Sequence, residues 1–121
     1  MKVKCAPPNS IVFILDPNNL AARIPEYLDG QLISSNNDCI SIGTQFEAEG
    51  DTDIFLDDAG IICSENDAKF EACINTPSRE IAIVNSHNEV ILKKQVNKER
   101  TLVKIYANDD MFPDLISVKI T

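Results

Sequence analysis

Short segments in which apolar and polar residues alternate place the strongest constraint on how this chain folds. In the segment 39–46 every second side chain, from Ile40 to Phe46, falls on one face of an extended chain, and the segments 70–75 and 116–120 repeat this period. Such alternation is typical of β-strands with one buried face. Turn-forming residues recur about every 8–12 residues, which predicts an antiparallel β-sandwich of about seven to nine short strands.

The segment after the first apolar run is the one place where the sequence predicts a helix. Ile11–Leu15 is continuous and rich in β-branched residues, so it predicts a strand that is buried on both faces. Asp16 and Pro17 then match a helix N-cap and a proline at the first helical position, and Pro25 would end the helix. The expected architecture is therefore all-β with one short N-terminal helix.

Length and composition predict one domain that spans residues 1–121. A chain of 121 residues with 44% apolar and 25% charged residues can bury a core without a metal or a disulfide. The apolar run Ile11–Leu15 is too short for a membrane span or for the apolar part of a signal peptide. We therefore expect a cytoplasmic protein with reduced thiols, in which Cys39, Cys63 and Cys73 are small buried hydrophobic residues.

Negative charge is concentrated in the stretch Glu47–Glu71. This stretch contains nine of the 19 acidic residues and only one lysine, while the ten acidic and ten basic residues elsewhere cancel, so it accounts for the formal net charge of −8. Coulomb repulsion opposes binding to nucleic acid and to anionic membranes. The charge favours a basic protein partner, a cation, or a role in solubility alone.

Six carboxylates in this stretch are candidates for binding a basic protein. On an extended chain every second side chain recurs about 6.8 Å apart on one face, so closely spaced acids would form a negative row. The row would steer a cationic cleft toward the protein, or it would only keep a strand edge from pairing with another chain. The six residues are Glu47, Glu49, Asp51, Asp53, Asp57 and Asp58.

An apolar tip between acidic residues is the second candidate for a binding surface. In the segment NDDMFPD (108–114), Phe112 has aspartates on both sides along the chain. Such a residue either tucks back under a sheet or forms an aromatic anchor with an acidic rim, as interface hot spots do. We include Asp109, Asp110 and Phe112 among the candidate partner-binding residues.

Catalytic and metal sites are not indicated by the sequence. Asp51, Asp53, Asp57 and Asp58 supply oxygen ligands, but their spacing misses the EF-hand pattern, so a calcium-binding β-module stays an alternative and no metal ligand or cofactor is assigned. His87 lies in a turn of Asn and Ser residues without a Ser–His–Asp arrangement, and we expect the protein not to be an enzyme. The basic residues between positions 93 and 100 lack interleaved aromatic residues, which argues against nucleic-acid binding.

Three segments of the chain resemble a known group of inhibitors. They read CISIGTQFEAEGDTDIFLDD, REIAIVNSHNEVIL and RTLVKIYAND, and they span roughly residues 39–107. In their rhythm of strands the chain is similar to the competence nuclease-inhibitor family and to bacterial toxin-immunity proteins. The resemblance implies a small acidic β-sandwich that occludes the active site of a nuclease, with carboxylates in positions meant for phosphates.

The expected function is that of an immunity or inhibitor protein. It would bind and neutralise a basic bacterial toxin, most concretely a nuclease, through its acidic surface. Two alternatives stay open, namely the calcium-binding β-module and an accessory or structural domain that is acidic only for solubility.

Overall fold

A computed structural model describes residues 1–26, 30–59 and 68–121 of the chain. In these residues ten β-strands form two five-stranded sheets that pack face to face, and the only helical elements are 3₁₀ turns at Pro8–Ser10 and Glu47–Glu49. None of the helical turns in this part of the chain has the length and apolar character needed to span a membrane. The strands are β1 (Lys2–Cys5), β2 (Ile11–Leu15), β3 (Ile33–Ser35), β4 (Cys39–Gly43), β5 (Thr52–Asp58), β6 (Phe70–Asn75), β7 (Glu80–Asn85), β8 (Val90–Gln95), β9 (Arg100–Ala107) and β10 (Leu115–Ile120).

The first sheet contains a parallel strand pair, which the sequence did not predict. Its order is β1-β5-β10-β9-β6, and that of the second sheet is β3-β4-β2-β7-β8. Among the described strands, neighbours are antiparallel except β5 and β10, which run parallel with Asp53 opposite Leu115. A long stretch of chain separates β5 from β10, so no hairpin turn sets their relative direction. The predicted antiparallel sandwich is therefore wrong for this pair, and the predicted seven to nine strands are fewer than the ten described, in part because β1 was not predicted.

Inward-facing aliphatic side chains from both sheets form the core. Ile54 and Leu56 on β5 and Ile105 on β9 are fully buried, and they belong to one cluster with Ile14 and Ile42 from the second sheet. Each leucine or isoleucine removed from water contributes roughly 1.5–3 kcal/mol to folding before entropy is counted. The alternation along the strands therefore decides which side chains lie inside.

The central strands of the second sheet are buried on both faces. β2 places Ile14 in the core, while Phe13 on its other face forms a separate buried cluster with Cys39, Ala82 and Val84. A strand with one solvated face would alternate, so burial on both faces explains why this strand is continuously apolar. The prediction for this strand is confirmed.

The predicted N-terminal helix is wrong. Residues 16–26 form turns followed by irregular chain instead, and the first turn is closed by a hydrogen bond from the Asn19 N–H to the Asp16 carbonyl at 3.1 Å. Leu20 is 100% exposed and Ile24 is 66% exposed, so a helix here would have no buried apolar face. Because short helices in water depend on such a face for their stability, the cap residues alone do not produce one.

The Asp16 carboxylate, expected as a helix cap, joins two distant parts of the chain. It is 0% exposed and accepts hydrogen bonds from the Asn18 N–H at 2.9 Å, the Ser78 N–H at 2.7 Å and the Ser78 hydroxyl at 2.6 Å. The local bond to Asn18 resembles the predicted cap. The bonds to Ser78 fasten the β6–β7 turn to the end of β2.

The described cysteines differ in burial. Cys39 is fully buried, as predicted, and Cys5 is partly buried. Cys73 is exposed because it lies on the outer face of the edge strand β6, so its predicted burial is wrong. Cys63 lies outside the described residues.

We expect alkylation to separate these thiols. Burial, together with the charge of Asp38, raises the pKa of Cys39 to about 12, and the thiolate is the reactive form. In folded protein at about pH 8, iodoacetamide should modify Cys73, whereas Cys39 should react only after unfolding in urea. Mass spectrometry of peptides locates the adducts. Modification of Cys39 in the folded protein as fast as Cys73 would contradict this expectation.

Candidate partner-binding site

Four connections meet at one end of the sandwich, which we call the loop end. Backbone hydrogen bonds of 2.9 Å join three of them, from the Thr44 N–H to the Ser10 carbonyl and from the Gln45 N–H to the Pro113 carbonyl, and the Ser86 hydroxyl joins the fourth to the 3₁₀ turn. Segments far apart in sequence thus form one surface. The connections are the 3₁₀ turn Pro8–Ser10, the β4–β5 loop (44–51), the β7–β8 turn (86–89) and the β9–β10 loop (108–114).

Two exposed phenylalanines pack against each other at the loop end. The ring centroids of Phe46 and Phe112 are 5.1 Å apart, with an angle of 36° between the ring planes. Their exposed fractions are 56% and 52%, and the neighbouring Met111 is also exposed. Aromatic rings that leave so much apolar surface in water are typical anchors of protein interfaces.

Sequence reasoning identified Phe112 but not Phe46. The alternating pattern assigned Phe46 to the buried face of a strand, together with Ile40 and Ile42. However, β4 ends at Gly43, so the alternation no longer reports a face when the chain reaches Phe46. The glycine, which weakens a strand, was the local signal that the strand stops there.

Exposed carboxylates lie next to this aromatic pair. Glu47 and Glu49 are on the 3₁₀ turn directly after Phe46, and Asp51 follows them. Glu47 Oε1 accepts a hydrogen bond from the Asn9 N–H at 2.8 Å, which holds this carboxylate against the neighbouring turn. None of the three acids forms an ion pair with a residue in the described ranges.

The turn that holds Glu47 has an unusual backbone. Asn9 and Ser10 both adopt left-handed conformations, with φ of 60° and 57°. Such conformations are costly for residues other than glycine and persist only where surrounding contacts impose them. Here Asn9 Nδ2 donates to the Ser86 hydroxyl at 2.8 Å, and that hydroxyl donates to the Pro8 carbonyl at 3.1 Å. The turn is therefore fixed against the rest of the loop end.

Asp109 and Asp110 lie beside the phenylalanines in the β9–β10 loop. Asp109 Oδ2 accepts hydrogen bonds from the Phe112 N–H at 2.7 Å and the Met111 N–H at 3.0 Å. These bonds, chiefly that from Phe112, lower the pKa of Asp109 because they favour the charged carboxylate. Asp110 instead forms an ion pair with Lys69, so a base of the same chain compensates its charge.

The lowered pKa of Asp109 makes the loop sensitive to pH. A depressed carboxyl pKa stabilises the folded turn above the unfolded pKa of about 3.9, and the contribution is lost as the pH falls through the folded value. In an NMR titration we expect the Met111 and Phe112 amide signals to move together with the Asp109 carboxyl signal, below the unfolded pKa. The Asp109→Asn variant, which has no carboxyl to titrate, should lack this movement. Titration of Asp109 at or above the unfolded value would contradict the expectation.

The other predicted carboxylates lie at the first sheet, among basic groups. Asp53 Oδ1 is 3.7 Å from the Nζ atoms of both Lys2 and Lys4. These acids therefore do not form a row of free negative charges. The further nitrogen–oxygen distances are 3.9 Å for Lys119 and Asp57 and 3.5 Å for Lys94 and Asp58.

Strand register explains why these acids are compensated. β5 lies between β1 and β10, which place Lys4 opposite Asp53 and Lys119 opposite Asp57. Opposite charges that face each other across a sheet attract. The pKa of Asp57 is also lowered, chiefly by a hydrogen bond from the N-terminal ammonium group. Glu65 and Asp67 of the acidic stretch lie outside the described residues.

The described residues contain no metal-binding cluster. In residues 1–26, 30–59 and 68–121, no group of three His, Cys, Asp or Glu side chains lies close enough together to hold a metal ion. His87 is exposed in the β7–β8 turn, with Nδ1 3.9 Å from Glu89 Oε1. Asp53 and Asp57, two ligands of the calcium alternative, lie on a strand and face lysines. The geometry therefore lends the calcium alternative no support.

A larger depression lies at the opposite end of the sandwich. Its volume is about 360 Å³, and its lining includes Asp58, Lys98 and Gln95. Charges of both signs and the lack of an aromatic residue in this lining distinguish it from the loop end. We therefore assign the candidate site to the loop end, although the depression there is smaller, at about 220 Å³.

The fold defines a structural class for the chain. It is a two-sheet β-sandwich like that of the competence nuclease inhibitors, which confirms the resemblance noted in the sequence. No protein-family model and no curated protein sequence matches the chain. The likeness therefore rests on tertiary structure.

Two solved structures share this fold over nearly the whole chain. ComJ from Bacillus subtilis, an inhibitor of the DNA-degrading activity of NucA, aligns with a TM-score of 0.62 and 10% identity, covering 99% of this chain and 93% of ComJ. The protein of crocagin biosynthetic gene J aligns with a TM-score of 0.52 and 11% identity, covering 98% of this chain and 94% of its own. At these identities the likeness demonstrates a common fold.

Proposed function

We propose that this protein is an inhibitor that binds a nuclease at its loop end and blocks the nuclease active site. The observation that carries the proposal is the exposed Phe46–Phe112 pair beside exposed carboxylates from two loops. The fold shared with ComJ, an inhibitor of a DNA-degrading activity, supports the same class of partner. The protein acts by binding and not as an enzyme.

Charge supplies the long-range attraction in this proposal. Enzymes that act on DNA present lysine and arginine side chains to its phosphates. Glu47, Glu49, Asp51 and Asp109 enter such a basic cleft as carboxylates in the place of phosphates. The formal net charge of −8 also raises the rate of encounter with a basic partner, an effect that salt weakens.

The aromatic pair supplies the short-range contact. Phe46 and Phe112 lose their remaining exposed surface when a partner covers the loop end. Interface hot spots combine a central apolar anchor with a polar rim that excludes water. The two rings match the anchor, and the acidic residues beside them match the rim.

The carboxylates of the first sheet have a lesser part in binding. Asp53, Asp57 and Asp58 already have lysine partners, so a cation of the nuclease would have to displace them. The ion pairs of Asp57 and Asp58 are partly to well exposed and are therefore weak, about 0–1 kcal/mol, whereas Asp53 is more buried. All three acids contribute to the overall electrostatic field. Asp110, which pairs with Lys69, contributes in the same way.

The specific partner that we propose is a basic bacterial toxin with nuclease activity, neutralised in the cytoplasm as by an immunity protein. The direct test titrates the purified protein into the nuclease that copurifies with it from its native cells and follows the degradation of DNA. Activity should disappear near one molar equivalent of inhibitor. The concentration of the inhibitor is kept well above a nanomolar dissociation constant. DNA degradation that continues at about tenfold molar excess of inhibitor over nuclease would then contradict the proposal.

Charge reversal at the loop end should slow association. We expect the Glu49→Lys/Asp51→Lys variant to bind the nuclease about 10–100 times more slowly at low salt, because steering depends on the local field. Surface plasmon resonance at several salt concentrations measures this rate. The control, Asp58→Lys/Glu99→Lys, makes the same change of charge at exposed positions on the opposite end. Equal slowing in both variants would mean that net charge, and not the loop end, attracts the partner.

A further inference from the structure

A groove runs from the aromatic pair along the outer face of the second sheet. Its volume is about 220 Å³, enough for one long side chain of a partner and too small for a folded segment. Its exposed lining residues are both apolar and polar, and two buried serines line it as well. Its lining includes Ile11, Leu32, Ser34, Ser41, Thr44, Phe46, Met111 and Phe112.

Two serines inside the groove have unused hydrogen-bonding capacity. Ser34 and Ser41 face each other across β3 and β4, and both are more than nine-tenths buried. The Ser41 hydroxyl reaches only the Ser34 carbonyl, at a long distance of 3.4 Å. The Ser34 hydroxyl has no hydrogen-bond partner among the described residues, although it lines the groove. The Ser34 oxygen is not sealed from water, so it can accept a hydrogen bond from an occupant of the groove.

The surroundings of the groove favour a positive occupant. Phe46 at the mouth is followed directly by Glu47 and Glu49, and the Asp109 carboxylate accepts the Phe112 N–H. Among the described residues, no charged residue of either sign is part of the groove lining, so the negative charge comes from carboxylates beside it, such as Glu47, which is held by the N–H of the lining residue Asn9. Aromatic rings attract cations through their negative faces, more strongly where water is excluded.

We propose that the groove binds an arginine side chain of the partner. This inference rests on the proposed function, because the nuclease supplies the arginine. The aliphatic stem lies against Phe46 and Phe112, and the guanidinium donates hydrogen bonds to the hydroxyls of Ser34 and Ser41. Arginine fits better than lysine because its planar head carries several donors and is more weakly hydrated. A neutral side chain of the same length would lack the attraction of the nearby carboxylates.

Short peptides test this inference without the nuclease. Acetyl-Gly-Arg-Gly-amide is titrated into the ¹⁵N-labelled protein, beside versions with lysine and with citrulline, a neutral analogue of arginine. The arginine peptide should shift the amide signals of Ser34, Ser41, Phe46 and Phe112, and citrulline should bind at least about fivefold more weakly. Equal binding of citrulline, tighter binding of lysine, shifts confined to other surfaces, or no shift at about 10 mM peptide would each overturn the inference.

Serine substitutions sharpen the test. Ser34→Ala should weaken arginine-peptide binding about threefold to tenfold, because one acceptor is lost. Ser35→Ala, at the adjacent exposed position of the same strand, should leave binding unchanged. If both variants bind the peptide like the parent protein, the arginine does not reach the serines and the inference is wrong.

The peptide and nuclease assays fail independently. Nuclease inhibition without peptide binding in the groove would refute the arginine site and leave the inhibitor function standing. Peptide binding in the groove by a protein that inhibits no nuclease would refute the proposed function and leave the arginine site standing.

Discussion

Replacing Phe46 and Phe112 together by alanine is expected to weaken binding of the nuclease about a hundredfold. An aromatic hot spot contributes about 2 kcal/mol or more to binding, and the contributions of touching residues are not additive. The ring centroids lie 5.1 Å apart, so we expect the double variant to lose little more than the stronger single variant. Isothermal titration calorimetry measures the dissociation constants of the two single variants and the double variant.

Folding stability should hardly change in the double phenylalanine variant. Both rings are more than half exposed, so their removal leaves no cavity in the core. The matched control is Leu20→Ala/Ile24→Ala, which removes exposed apolar side chains from the β2–β3 connection, away from the loop end. Unchanged affinity in the phenylalanine variant, or an equal loss in the control, would exclude the aromatic pair as the anchor.

Replacing Asp16 by alanine is expected to lower the free energy of unfolding by about 3 kcal/mol or more. The substitution removes a fully buried acceptor and leaves the N–H groups of Asn18 and Ser78 and the Ser78 hydroxyl without it. Hydrogen bonds to a charged group contribute about 1.5–3 kcal/mol each, and the freed donors of the exposed residues Asn18 and Ser78 recover part of this loss by binding water. Urea denaturation followed by circular dichroism measures the loss.

Three further variants separate the causes of this loss. Ser78→Ala removes only the hydroxyl bond and should cost about 1 kcal/mol. Asp16→Asn keeps one acceptor oxygen, so its cost should lie between those of Ser78→Ala and Asp16→Ala. The exposed Asp51→Ala should stay within about 0.5 kcal/mol of the parent protein. A loss below about 1 kcal/mol for Asp16→Ala would show that these hydrogen bonds do not hold the β6–β7 turn.

Most of the fold was predictable because it depends on local alternation. Ile54 and Leu56, or Ile40 and Ile42, point inward since side chains on a strand alternate between faces whatever the strand pairs with. The continuous run of β2 likewise predicted burial on both faces. The prediction of a helix after Asp16 was wrong because the stability of such a helix depends on whether Leu20 and Ile24 pack against an apolar surface. The residues that mark where a helix starts and ends carry no information about such a surface.

The candidate site was predictable only in its chemistry. Phe112 and its flanking aspartates stood out as an apolar tip among acids, and the position of Phe46 beside it required the fold. The sequence also did not show which acids of the stretch Glu47–Glu71 form ion pairs with lysines and which do not. Whether Asp53 meets a lysine depends on which strand pairs with β5 and in which register, and Lys4 is distant in sequence.

The amino-acid sequence by itself determined most of the strands, their buried faces and the excess of negative charge, because these depend on composition and on the geometry of an extended chain. Tertiary structure alone decided which carboxylates remain without ion pairs and which two phenylalanines meet. Strand pairing brings Lys2, Lys4 and Lys119 to the aspartates of β5, while the loops that carry Glu49, Asp51 and Asp109 extend beyond the strands. Electrostatic attraction acts between neighbours in space, and only the folded chain defines those neighbours.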